Sequence, residues 1–216
     1  LEDQDAFRYN GIFRDVYILQ RPKNHIRDFE LIPNGESVTV SVEGGAHLEI
    51  FEDDALLFDG DIGEKFSFTP EKPILWNAEK PFLYTVRLSR AGEVIERKVG
   101  LRKIEISDKY ELLINGVPVK LHGINRHDTG KLRGWCQSDE ELKKDFSLMK
   151  FLNINCIRTS HYPPTPKFID MCDEMGFYVV CETDLETHGA CYRIPNSLGA
   201  YDVESGDWPC TKPEWK

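Results

Sequence analysis

No C-x-x-C pair occurs among the six cysteines, Cys136, Cys156, Cys172, Cys181, Cys191 and Cys210, which argues against a thiolate zinc site or a dithiol redox motif. Cys156 and Cys181 fall inside strand-like runs and Cys172 on a helical face, so the cysteines are expected to be small buried hydrophobes in a reducing compartment. No apolar run approaches the roughly 20 residues that span a bilayer, and no signal peptide is visible. Methionine is scarce: there are 3, and none precedes Met149. A chain that opens Leu1-Glu2-Asp3 without one is expected to be a piece of a longer polypeptide. Basic charge is also short, with 27 Lys and Arg against 37 Asp and Glu, a net charge of −10 over 216 residues. That balance argues against nucleic acid or an anionic membrane surface as the main partner and suits a neutral ligand.

What is present changes character twice along the chain. The run Ile12-Phe13-Arg14-Asp15-Val16-Tyr17-Ile18-Leu19 is β-branched and aromatic after an Asn10-Gly11 turn signal, and predicts a strand. A lone strand is not stable in water, so its partners are expected upstream. From about 25 to 106 the pattern is all-β. Ser37-Val38-Thr39-Val40-Ser41-Val42 alternates, Leu48 and Ile50 continue the period, and Phe66, Phe68 and Tyr84-Thr85-Val86-Arg87-Leu88-Ser89 repeat it. Turn signals fall at Pro33-Asn34-Gly35, Gly44-Gly45, Asp59-Gly60 and Ala91-Gly92. Short strands at this spacing predict an immunoglobulin-like β-sandwich, without the Cys…Trp…Cys framework of antibody domains. Trp76 is expected to be a packing anchor.

After Asn115-Gly116, a hairpin signal between two apolar runs, the period lengthens. Ser138 with Glu141 makes a capping box, and Leu142, Phe146, Met149 and Leu152 form one helical stripe. Thr165-Pro166 opens a second helix with Phe168, Ile169, Cys172 and Met175 on its buried side and Gly176 as its stop. The helices separate three buried runs, Val119 to Gly123, Ile154 to Ile157 and Phe177 to Cys181. This β-α-β-α-β order matches the opening of a (β/α)8 TIM barrel, where polar residues past strand ends line the active-site mouth. The three strand ends carry Ile124-Asn125-Arg126-His127, Arg158-Thr159-Ser160-His161-Tyr162-Pro163 and Glu182-Thr183-Asp184-Leu185-Glu186-Thr187-His188-Gly189.

Singly, His127 and His161 suit a structural hydrogen-bonding role. Converging at a barrel mouth, they suit a hydroxyl-rich neutral ligand, since neutral imidazole both donates and accepts. Glu186 and His188 point the same way in an extended segment. They could grip one metal, the carboxylate suiting Mg2+ and the imidazole Zn2+ or Mn2+, or they could serve as surface hydrogen-bonding groups.

Taken together, His122-Gly123-Ile124-Asn125-Arg126-His127, then Arg158-Thr159-Ser160-His161-Tyr162-Pro163, then Glu186-Thr187-His188-Gly189 resemble glycoside hydrolase family 2, its large β-galactosidases in particular. Glu2-Asp3-Gln4-Asp5 with Gly11-Ile12-Phe13-Arg14-Asp15-Val16 is similar to the last strand of that family's N-terminal jelly-roll domain, and Leu75-Trp76 through Pro81-Phe82-Leu83-Tyr84 to its immunoglobulin-like second domain. The resemblance implies three parts. Residues 1–19 would be the last strand of a sugar-binding jelly roll, 20–106 the sandwich, and 107–216 the first three βα units of a TIM barrel. It implies that His127 and His161 line the galactose subsite and stabilise the transition state, and that Arg158 supports a catalytic carboxylate. It gives Mg2+ to Glu186 and His188, and a substrate-linked Na+ to Asp5. The family has Met-Trp after that Asp, where this chain has Ala6-Phe7.

Retention in this family needs two glutamates, the acid/base in an Asn-Glu dipeptide after the fourth barrel strand and a nucleophile later still. No Asn-Glu occurs in the chain. The expectation is therefore part of a β-galactosidase that is inactive alone, from a homo-oligomeric and cytoplasmic parent. The alternatives are a β-glucuronidase of the same family, which shares R-x-S-H-Y-P but tends to lack E-T-H-G, and a non-catalytic carbohydrate-binding sandwich.

Overall fold

The structure, a computed structural model, describes residues 11–183. Seven strands occupy its first half: β1 (Phe29–Asn34), β2 (Ser37–Val42), β3 (Ala46–Glu52), β4 (Ala55–Ile62), β5 (Lys65–Phe68), β6 (Tyr84–Arg90) and β7 (Glu93–Val99). They form two antiparallel sheets, ordered β1-β2-β5 and β4-β3-β6-β7. The alternation in the sequence sets which side faces in. Val38, Val40 and Val42 of β2 meet Leu48 and Ile50 of β3 and Tyr84, Val86 and Leu88 of β6 in one buried cluster, while the intervening polar residues face outward. Tyr84 places its hydroxyl inside this core, where it accepts the Ile74 N–H at 2.9 Å.

The second half starts with a small antiparallel sheet of β8 (Ile104–Ile106), β9 (Leu112–Ile114) and β10 (Val117–Pro118). Asn115 and Gly116 turn β9 into β10 with φ of 54° and 77°, the doubly positive conformation that matches strand twist and favours Asn-Gly. There follow β11 (Gly123–Asn125), α1 (Asp139–Phe151), β12 (Cys156–Arg158), α2 (Pro166–Met175) and β13 (Tyr178–Val180). The three strands pair in parallel, β11-β12-β13, with Asn125, Arg158 and Val180 side by side. The side chain of Asn155 extends the pairing below β12. It accepts the His122 N–H at 2.8 Å and donates to Lys120 O at 3.0 Å.

Both helices start as the sequence predicts. Ser138 Oγ accepts the Glu141 N–H and Glu141 accepts the Ser138 N–H, a complete capping box. Thr165 caps α2 ahead of Pro166, and Gly176 ends it in the left-handed region at φ 76°. Leu142, Phe146 and Met149 pack with Phe168, Met171, Cys172 and Phe177 in a second core, separate from that of the sandwich.

Several expectations change. Residues 12–19 carry no strand, and Ile18 is 99% exposed, because none of the described strands pairs with them. Asp59-Gly60 is not a turn but lies inside β4, opposite Glu49 and Leu48. The chain reverses earlier, at Asp53 and Asp54, where Asp53 takes φ 49°. A register shift at Ile50/Phe51 then absorbs Leu57 as an extra residue in β4. Leu152 is exposed, since it is the C-cap of α1 rather than part of its buried stripe. The run Val119–Leu121 passes between β10 and β11 without joining either. Cys156 and Cys172 are buried, whereas Cys136 and Cys181 are exposed because they sit past the packed elements.

The sandwich docks on the end of α2. Trp76, 2% exposed, donates its indole N–H to Asp173 O at 2.8 Å and stands edge-on to Tyr178. Lys150 Nζ reaches from α1 to Ala78 O at 2.9 Å and Gly176 O at 2.6 Å, lying over the Phe177 ring. Lys98 of β7 pairs with Glu174 at 2.9 Å. Trp76 is thus the packing anchor the sequence suggests, and its partner is a helix end 97 residues on.

Candidate active site

The parallel pairing brings the polar clusters to one edge. β11 ends at Asn125, so His127 stands two residues beyond it; Arg158 is the last residue of β12, and His161 follows three residues later. The histidine rings lie 5.4 Å apart between centroids, edge to face. The Ser160–His161 peptide is cis. Arg158 donates through Nε to Glu182 Oε1 and through Nη1 to Asn125 Oδ1 at 3.4 Å. Glu182 Oε2 is 3.5 Å from His161 Nδ1. The Glu182 N–H in turn donates to Thr159 Oγ1 at 3.1 Å. The structure therefore joins His127, His161 and Arg158 in one group, as the spacing implied. Asp5, Glu186 and His188 lie outside the described residues. Among the described residues no cluster of three or more His, Cys, Asp and Glu could hold a metal.

Glu182 carries no role in the motifs that mark the site in the sequence, although its position points to one. It stands two residues past Val180, the neighbour of Arg158 across the sheet, and period two carries it to the same side. A second group was also not legible. Asp128, directly after His127, is buried and accepts Arg126 Nη1 at 2.5 Å and Arg14 Nη2 at 3.4 Å, while its N–H donates to Tyr162 Oη at 2.9 Å. Arg126 continues to Gln137 and to Asp145 at 3.4 Å, with its guanidinium 4.7 Å from the Phe168 ring centre. Burial pushes the Tyr162 hydroxyl above its ordinary range, opposed by the hydrogen bond from Asp128. No sequence spacing connects Arg14 to Asp128, 114 residues away.

Two buried polar atoms at this edge have no partner among the described residues, His127 Nδ1 and Ser160 Oγ. Such atoms are costly unless something completes them. The arrangement can present two imidazoles to a polar ligand, with Arg158 and Glu182 holding the wall behind; the Ser160 hydroxyl, on a residue 1% exposed, stays inside. Among the described residues the carboxylate of this group is Glu182, whose two oxygens are engaged by Arg158 and His161, so the described group does not form the carboxylate pair that glycoside cleavage with retention uses.

Comparison with known proteins accords with this layout. The profile "Glycosyl hydrolases family 2" matches residues 29–102, and "Glycosyl hydrolases family 2, TIM barrel domain" matches residues 104–215. Similar curated proteins include a "Beta-galactosidase" of Actinobacillus pleuropneumoniae, 42% identical over 201 residues, covering 88% of this chain and 20% of that protein. One from Staphylococcus xylosus is 40% identical over 201 residues, with 88% and 20% covered. One from Streptococcus thermophilus is 33% identical over 243 residues, with 100% and 23% covered. The chain spans about a fifth of the length of these relatives. Among solved structures it is similar to "Faecalibacterium prausnitzii Beta-glucuronidase", with TM-score 0.70, 27% identity and 76% of this chain and 28% of that one covered. A β-D-glucuronidase of Dictyoglomus thermophilum gives TM-score 0.65 at 27% identity, with 76% and 30% covered. With the sandwich and the opening strands of the barrel matched in order along one chain, the protein belongs to glycosyl hydrolase family 2.

Proposed function

We propose that this chain forms part of a retaining β-galactosidase, contributing the sugar-binding wall of its site and not the carboxylates that break the bond. The observation that carries the reading is the convergence of His127, His161, Arg158 and Glu182 at the ends of β11, β12 and β13. The names of the relatives at 33–42% identity support galactose over glucuronic acid, since these are β-galactosidases. The solved structures named as β-glucuronidases, at 27% identity, favour the second reading, a β-glucuronidase of the same family.

In this reading the imidazoles of His127 and His161 hydrogen-bond the sugar hydroxyls, and those bonds tighten as the ring flattens toward an oxocarbenium ion. Arg158 and Glu182 hold each other and His161 in place, so the sugar meets a wall that needs little reorganisation. Glu186 and His188 would hold Mg2+ and Asp5 a Na+, ions that would add positive charge beside the sugar. The parent would be an oligomer in the cytoplasm acting on terminal β-galactosides such as lactose.

The test is hydrolysis of nitrophenyl β-D-galactoside and nitrophenyl β-D-glucuronide. The 216-residue chain is expected to turn over neither. A longer polypeptide carrying this chain and an Asn-Glu after a fourth strand is expected to hydrolyse the galactoside with a much higher kcat/KM. Turnover by the 216-residue chain, or preference for the glucuronide, overturns the proposal.

A further inference from the structure

Five rings run in sequence from the segment before the sandwich to the paired histidines. Phe13 stands edge-on to Trp135 at 4.7 Å, Trp135 lies 5.5 Å from Tyr162, Tyr162 lies 6.0 Å from His127, and His127 lies 5.4 Å from His161. Hydrogen bonds follow the same route. Arg14 Nη1 donates to Trp135 O at 3.2 Å and Nη2 to Asp128 Oδ2 at 3.4 Å. Cys136 Sγ donates to Phe13 O at 3.5 Å. Asp128 is also held by Arg126, and its N–H by Tyr162. The loop from His127 to Gln137 is thus clasped from outside at Trp135 and Cys136 and from inside at Asp128.

We propose that Phe13 and Arg14 are positioning residues for His127, acting through Asp128 and the Trp135–Tyr162 ring pair. The role of that histidine rests on the sugar-site reading above; its placement by Arg14 does not. Asp128 is covalently next to His127, so whatever fixes its buried carboxylate fixes the backbone that carries the imidazole. One guanidinium comes from Arg126, two residues away, which also reaches Gln137, Asp145 and the Phe168 ring and so ties Asp128 to the two barrel helices. The other comes from residue 14 and ties that geometry to a segment on the far side of the sandwich in sequence. Arg14 suits the task because its planar fork donates at once to a carboxylate and to a carbonyl in different turns of the loop. A lysine offers one ammonium on a flexible stem and holds one of the two.

The experiment uses the 216-residue chain labelled at its histidines, with the His127 ring signals assigned by H127N and read by two-dimensional NMR. R14A and D128N are expected to move the His127 signals and to speed exchange of the residue-128 amide by about tenfold, the loss of one charge-assisted hydrogen bond. R14K is expected to place the His127 signals between those of R14A and the unaltered chain. R97A, whose guanidinium donates to the neighbouring Glu96 carbonyl on the sandwich, is expected to leave them unmoved. His127 signals in folded R14A that coincide with those of the unaltered chain overturn the proposal. If R14A does not fold, R14K decides by the same signals, and coincidence with the unaltered chain again overturns it. Titration with galactose separates the two readings. Failure of galactose to move His127 in the unaltered chain counts against the sugar site and leaves the Arg14 comparison standing.

Discussion

Gly100 lies against the indole of Trp76 so closely that a methyl group has no place. A Cβ built there would sit 2.6 Å from Trp76 Cγ. Since Trp76 is locked by its bond to Asp173 O, it cannot swing aside without releasing the helix end. G100A is expected to lower stability by about 1–3 kcal/mol, measured by urea unfolding, and to weaken the Trp76 contact seen in near-UV circular dichroism. His47 offers a pH-dependent case. It lies on β3 between Asp59 and Asp61 of β4, at 3.0 Å and 2.9 Å. The hydrogen bond to Asp61, then the charges of Asp59, Asp61 and Glu49, raise its pKa above the ordinary 6.5. A raised folded pKa means the stabilisation is fully present below pH 6.5 and fades as pH rises through the folded value. D61N is expected to flatten that slope above pH 6.5, read from unfolding midpoints across the range. Added salt should flatten it too, because the pair is exposed. Residue types were legible where chemistry is local, as with Trp76 as an anchor and the two histidines at strand ends. Their surroundings were not, because Asp173 reaches Trp76, and Arg14 reaches Asp128 beside His127, through the fold and not through spacing, and the side taken by Glu182 follows only once Val180 is paired with Arg158.

At the scale of elements, caps and stops carried more information than composition. Ser138 with Glu141, Thr165 with Pro166, and Gly176 each stand where the helices begin and end, since satisfying orphan backbone groups is a local problem. S138A is expected to cost about 1 kcal/mol, measured by thermal unfolding. The strand predicted over 12–19 fails for the opposite reason: pairing is not local, and apolar alternation without a neighbour leaves Ile18 and Tyr17 in solvent. Asp59-Gly60 misled because a turn dipeptide can also sit in a strand. Here Gly60 makes room for the Phe58 ring, 3.4 Å from where its Cβ would be. Lys150 is the residue on α1 with most at stake between elements. Burial lowers its pKa, and its ammonium serves carbonyls from both the sandwich and the end of α2. K150M keeps the stem but leaves Ala78 O and Gly176 O without that donor, and is expected to cost about 1–3 kcal/mol. The matching observation would be faster amide exchange at both ends of the interface rather than within α1.

For the molecule as a whole, the two cores differ in how completely they are closed. The sandwich core is shared between two sheets, and its largest residues, Tyr84, Leu48, Ile50 and Leu88, are fully buried. The second core is roofed by α1 and α2 on one side of β11-β12-β13, but the strands leave Ile124 and Val180 exposed, and the hairpin sheet leaves Ile104 and Ile106 exposed. A parallel sheet is ordinarily covered on both faces, so three strands in this state carry apolar surface that water disfavours and that other chains can pair with. The interface at Trp76 and Lys150 couples the halves, yet each retains its own buried cluster. Unfolding of the 216-residue chain is therefore expected to split. Signals from the barrel segment should be lost at lower temperature than those of β1 to β7, with a dye for exposed apolar surface binding before the sandwich melts. W76F, by removing the indole donor, should widen the gap between the two transitions by lowering the first. Calorimetry showing one sharp transition of a monomer, with calorimetric and van't Hoff enthalpies equal, would mean that the interface binds both cores into a single cooperative unit despite the open strands.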